Sequence, residues 1–303
     1  MVLAYRWRAA ICRFLQTPSS LRRRIVLFIQ VSSESELIFV RNDRNHSEEG
    51  PVGYTIALGG KGGTGKTTIA GLLIRYMLRH GMKPILAVDA DSNSNLNEVL
   101  GVPLAATLSD ARETMKTSVP VGMTKDVFME LKLEESLVES HGFDLIAMGR
   151  PEGPGCYCAA NNLLSSLLER LMNNYEYLLV DNEAGMEHFS RLTQKDVDLL
   201  LLVSDPSRRG LAAACRIADL VRSLPMRVAK PVLVVNQVTA TLPPWPAEVL
   251  KNFDQERIAL LPADPLVADY DLAGKPTITL PDDAPLVRAS EELFDRVLRP
   301  VVK

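Results

Sequence analysis

The chain has 303 residues, 47% of them hydrophobic, with 34 Lys+Arg against 37 Asp+Glu for a formal net charge of −3. That is ample apolar material for one large α/β domain, and it supplies no positive field of the kind that gathers nucleic acid or anionic lipid. Four cysteines, at 12, 156, 158 and 215, are too few to staple a chain of this size and point to reduced thiols in a cytoplasmic setting, and no apolar run approaches the roughly 18 residues of a membrane span.

Residues 1–51 differ in character from the remainder of the chain. They carry 8 Lys+Arg and 5 Asp+Glu, including Arg22-Arg23-Arg24, and show no sustained helix or strand period. Glu34, Glu36, Glu48 and Glu49 argue against a long transit peptide. The run Ser47-Glu48-Glu49-Gly50 can be encoded by a purine-rich stretch resembling a ribosome-binding site, with Val52 as a GTG start. The expectation is a disordered or untranslated leader over 1–51 and a single domain over 52–303.

From Tyr54 onward, apolar runs of strand length alternate with helical patterns, the pattern of βαβ units. Strands are predicted near Tyr54 to Leu58, Ile85 to Val88, Phe143 to Met148, Tyr177 to Val180, Leu199 to Val203, Val232 to Val235 and Ile258 to Leu261. The expected fold is therefore α/β, with a mainly parallel sheet of roughly seven strands flanked by helices on both faces.

The first strand runs into Gly60-Lys61-Gly62-Gly63-Thr64-Gly65-Lys66-Thr67, and a helix with apolar Ile69, Leu72, Leu73 and Met77 comes next. Strand, glycine-rich loop and helix make a phosphate-binding loop: backbone N–H groups curl around phosphate, Lys66 reaches the β and γ phosphates, and the Thr67 hydroxyl binds magnesium. The chain is expected to bind ATP or ADP with Mg2+ and to hydrolyse ATP, which makes the expected domain over 52–303 a single ATPase domain.

Lys61 is not required by the basic motif. Residues 61–68, Lys-Gly-Gly-Thr-Gly-Lys-Thr-Thr with Thr68 at the end, resemble the deviant Walker family, which includes nitrogenase iron protein and the MinD and ParA ATPases. The resemblance implies a P-loop NTPase fold and a homodimer, with Lys61 reaching across to the other subunit's phosphates and making hydrolysis depend on dimer closure. It also implies that Asp91, in Asp89-Ala90-Asp91, positions or activates the attacking water, and that Asp181, in Asp181-Asn182-Glu183, serves the magnesium shell. Asp89 equally suits a structural role, capping a helix expected near Ser92. Asn236 matches the position where relatives use an amide to read the adenine edge.

After the strand ending at Met148 comes a glycine and proline loop carrying Cys156-Tyr157-Cys158. In an extended segment residues i and i+2 face the same way, so both sulfurs can address one ion. A closed tetrahedral site takes four ligands, and a homodimer would supply the other two by symmetry. The runs Gly149 to Asn162, Asp181 to Arg191 and Asp89 to Gly101 resemble the CooC family of nickel-insertion ATPases. That resemblance implies a nickel or zinc site at Cys156 and Cys158, and carbon monoxide dehydrogenase as client, or acetyl-CoA synthase if the chain is AcsF-like. No nucleic-acid or membrane partner is expected. His188 is read as a conformational or packing residue and Cys215 as an ordinary buried helix position, while Cys12 receives no role. The rivals are a MinD or ParA type positioning ATPase and an iron–sulfur carrier related to nitrogenase iron protein.

Overall fold

A computed structural model of the chain describes residues 53–117, 119–150, 169–182, 196–223, 227–242 and 244–298, all within the unit Gly50–Lys303. The expected leader over 1–51 lies outside the described residues.

The sheet is built from β1 (Tyr54–Gly60), β2 (Ile85–Ala90), β3 (Leu137–Glu139), β4 (Phe143–Ala147), β5 (Tyr177–Asn182), β6 (Val197–Ser204), β7 (Val228–Val238) and β8 (Ile258–Pro262). Their order across the sheet is β3-β4-β2-β5-β1-β6-β7-β8, and every neighbouring pair is parallel except β3 with β4. The α/β fold is as expected, with eight strands among the described residues against the roughly seven expected. The additional one, β3, is three residues long and follows a helix directly, so neither alternation nor turn residues announce it. From β1 the chain moves to one side of the sheet and returns through β5, then moves to the other side through β6, β7 and β8. β1 therefore lies beside a point where strand order reverses, where open α/β sheets place ligands beyond the carboxyl ends of the strands.

Helices cover both faces. α1 (Lys66–Arg79), α2 (Leu96–Leu100) and α8 (Pro285–Leu298) pack on one. α3 (Leu108–Thr117), α4 (Lys125–Ser136), α5 (Arg208–Val221) and α6 (Ala247–Asn252) pack on the other. A further helix, α7 (Pro265–Leu272), precedes α8. The central strands show why such runs read as continuously apolar. Leu199, Leu201 and Val203 of β6 enter the first core layer, whereas Leu200 and Leu202 enter the second. Both faces are dry, so period-two alternation disappears.

α1 is buried along most of its length because it is held between the sheet and α8. Ile69, Leu73 and Met77 are fully buried, as the sequence spacing predicts. Phe294 of α8, also fully buried, meets Tyr76 edge-on at 5.5 Å between ring centroids. Tyr76 Oη donates to Asp295 at 2.6 Å. Buried Arg75 donates to the Leu280 carbonyl at 2.5 Å and pairs with Asp282, which also accepts from Arg79 at 2.6 Å. On the opposite face, Cys215 of α5 is fully buried, matching the expectation of an ordinary core position, and burial raises its thiol pKa. Among the described residues no helix is long and apolar enough to cross a membrane.

Candidate functional site

The loop 60–66 begins inside β1, where Gly60 still pairs with Val203 of β6. With φ at +149°, a Cβ on Gly60 would lie 2.1 Å from the Val203 carbonyl oxygen, so the sheet accepts only glycine there. Lys61, Gly62 and Gly63 are exposed, while Thr64 is buried and donates its hydroxyl to the Lys61 carbonyl at 2.8 Å. Lys66, also buried, reaches back to the same carbonyl at 3.3 Å. One exposed loop residue thus organises both the turn and the lysine.

Gly65 is the N-cap of α1 in a left-handed conformation, and it offers no side-chain cap. The first turn contains no acidic residue. The partial positive charge of this helix end meets no carboxylate of its own, which suits an anion such as a phosphate. Thr67 and Thr68 follow in the same turn, half-buried.

β7 closes over this loop. Buried Asn236 donates its amide Nδ2 to the Thr64 carbonyl at 2.9 Å. A Cβ on Gly65 would lie 2.4 Å from that nitrogen, so glycine at 65 and asparagine at 236 fit as a pair. Gln237, with φ at +59°, donates to the Gly63 carbonyl at 3.3 Å. Neither loop contact has a sign in the sequence, because spacing along the chain does not encode which strand's end overhangs a given loop.

The two acidic segments meet at the adjacent ends of β2 and β5. The apolar runs predict that these strands end at Val88 and Val180, but pairing continues through Asp89↔Asp181 and Ala90↔Asn182. Both acids are therefore strand residues near the carboxyl ends, 1% exposed. Asn182 ties β5 to β1 by donating to the Leu58 carbonyl at 2.9 Å.

Their carboxylates differ in what they touch. Asp89 Oδ1 accepts from the Asp91 N–H at 3.0 Å and Oδ2 from the Leu96 N–H at 2.9 Å. Burial lifts its pKa to about 6, against the pull of those two N–H groups. The expected helix near Ser92 instead begins at Leu96, because the intervening residues form Asp-centred turns: Asp91 Oδ1 accepts from Asn93 N–H at 2.8 Å. Asp181, by contrast, has neither carboxylate oxygen in a hydrogen bond of good geometry. Burial pushes its pKa to about 7; the nearby Thr67 hydroxyl and the Lys66 ammonium favour the ionised form, while Asp89 and Asp91 oppose it. A buried carboxylate with no well-formed hydrogen bond, beside a threonine hydroxyl, is a hard oxygen donor set, and it fits magnesium.

Lys61, Lys66, Thr67, Asp91, Asp181 and Asn236 are thus gathered around the carboxyl ends of β1, β2, β5 and β7. Cys156, Cys158 and His188 lie outside the described residues. Among the described residues, no group of three or more His, Cys, Asp or Glu side chains is arranged to hold a metal ion.

A family model described as the CobQ/CobB/MinD/ParA nucleotide binding domain matches residues 55–277. An uncharacterized ATP-binding protein of Methanocaldococcus jannaschii is 39% identical over 252 residues, covering 80% of this chain and 98% of its own. The carbon monoxide dehydrogenase accessory protein CooC of Rhodospirillum rubrum is 32% identical over 234 residues, covering 72% of this chain and 87% of its own. Among solved structures, the septum site-determining protein MinD of Pyrococcus horikoshii, complexed with Mg-ADP, matches with a TM-score of 0.59 at 20% identity, covering 82% of this chain and 98% of that one. At that identity the likeness concerns the fold alone.

Proposed function

The chain belongs to the CobQ/CobB/MinD/ParA family of nucleotide-binding ATPases, and on that premise we propose that it is a homodimeric metallochaperone that uses ATP hydrolysis to deliver nickel to the active-site cluster of carbon monoxide dehydrogenase. The observation that carries this reading is Cys156-Tyr157-Cys158, following β4 and Gly149 in a chain with a CooC relative. Two thiolates from each subunit would supply a sulfur-only donor set for nickel or zinc. The ATPase domain would span residues 52–303.

Residues 60–68 cradle the phosphates, Lys66 neutralises β and γ oxygens, and Asn236 meets the adenine edge. Thr67 and Asp181 would hold magnesium, which would supply charge neutralisation on the phosphates. Asp91 orients the attacking water, and Lys61 stabilises the charge that develops on the transferring phosphoryl group of the opposite subunit. Closure of the dimer on ATP and its reopening after hydrolysis then change the geometry around the four thiolates, coupling nucleotide state to metal capture and release.

Equilibrium dialysis against nickel tests the site. The native protein is expected to hold one ion per pair of chains, and the double variant Cys156→Ser, Cys158→Ser none. Unchanged stoichiometry in that variant would overturn the assignment.

The rival reading is a surface-positioning ATPase of the MinD or ParA kind. That role calls on an exposed amphipathic helix. α8 is amphipathic, yet Leu286, Val287, Leu293, Phe294, Val297 and Leu298 are buried.

A further inference from the structure

The two buried acids at the ends of β2 and β5 share a register position and nearly equal burial, but their oxygens are used in opposite ways. Neither oxygen of Asp181 is engaged by a backbone donor. Asp89 has both engaged by backbone N–H groups, one at each end of the segment 91–96. We propose that Asp89 is a positioning residue for hydrolysis: its carboxylate clamps the loop that presents Asp91, without itself touching nucleotide or magnesium. This rests on Asp91 as the residue that orients the attacking water.

The loop has few other restraints. Asp91 accepts from Asn93 N–H through its side chain and from Ser94 N–H through its carbonyl, at 2.8 and 3.2 Å. These bonds shape the turn but do not attach it to the sheet. Asn95, the N-cap of α2, makes no side-chain capping bond. The first N–H of that helix is met instead by Asp89, a side chain anchored inside the sheet. The clamp therefore transmits the position of β2, and through the Asp89↔Asp181 pairing that of β5, to the backbone of Asp91.

The geometry requires a carboxylate. Two N–H donors approaching from different directions need two acceptor oxygens. Asparagine offers one, and its amide nitrogen would face the other donor. Asp89→Asn is nearly the same size, so the core keeps its packing while one end of the loop is released. A displacement of about 1 Å in a residue that orients a nucleophile lowers turnover about 100-fold.

The test compares full-length wild type, Asp89→Asn and Asp91→Asn in steady-state ATP hydrolysis, fluorescent ADP binding, magnesium dependence and thermal melting. For Asp89→Asn the expected result is a folded protein with kcat down about 100-fold, and with ADP affinity and half-saturating magnesium unchanged. Should that variant not fold, Ser94→Pro acts from outside the core: proline cannot adopt the φ of +52° at this position and has no N–H for the Asp91 carbonyl. It is expected to lower kcat while sparing ADP affinity. Asp89→Asn at wild-type kcat, with Asp91→Asn inactive, overturns the clamp alone; for the fallback variant, Ser94→Pro at wild-type kcat does the same. A raised magnesium requirement in Asp89→Asn makes Asp89 a metal ligand and also overturns the clamp. Asp91→Asn at wild-type kcat overturns the reading of Asp91 and the clamp with it.

Discussion

Asp181 combines near-complete burial with two carboxylate oxygens in no well-formed hydrogen bond, so Asp181→Asn should stabilise the nucleotide-free protein at alkaline pH. Burial moves the Asp181 pKa from 3.8 to about 7, which corresponds to ~4 kcal/mol favouring the neutral form. Because the folded pKa is raised, the folded state holds more protons than the unfolded state between these values, and stability falls as pH rises through the window. Asparagine carries no ionisation penalty, and at low pH it stands in for the neutral acid. The variant's advantage is therefore small near pH 4 and grows as the native carboxyl is forced to ionise. Between pH 5 and pH 8 the gap should widen by about 2–3 kcal/mol, or roughly 5–10 °C in the difference of Tm for a domain of this size. Scanning calorimetry of both proteins in EDTA, at constant ionic strength, measures it. A gap that stays constant or narrows with rising pH would refute the reasoning. The order should invert with magnesium and ATP present, because the substitution removes a ligand whose binding stabilises only the native protein.

Two further substitutions probe the scaffold. Phe294→Ala removes a fully buried ring packed on Tyr76 and should cost about 3–5 kcal/mol in urea unfolding; a loss below about 1 kcal/mol would mean that α8 does not close the core over α1. Gly60→Ala places a methyl group 2.1 Å from the Val203 carbonyl, so a destabilisation of about 2 kcal/mol or more and loss of ADP binding by isothermal calorimetry are expected, and near-native stability would show that β1 and β6 part more easily than their pairing implies.

The phosphate loop is fully legible in the sequence because its geometry is contiguous. Glycines at 60, 62, 63 and 65, with Lys66 and Thr67, prescribe one turn and one helix start, and few distant residues enter the recognition. The apolar runs announce most strands for a similar local reason. β3 escapes because three residues carry no period, and the apolar runs of β2 and β5 stop short of the true strand ends because an acidic residue ordinarily marks the end of a strand. Here the acids continue the ladder, covered by the neighbouring elements.

What the sequence by itself determined is the nucleotide chemistry, the α/β class and the presence of a thiol pair at 156 and 158. Only the tertiary structure decided that Asp89 lies beside Asp181 in register, that one carboxylate is engaged by backbone donors while the other is not, and that Asn236 closes on Gly65. These are relations between strands distant in the chain. Their register is set by the packing of two core layers and by the hydrogen bonds of the whole sheet, and no local run of residues encodes it.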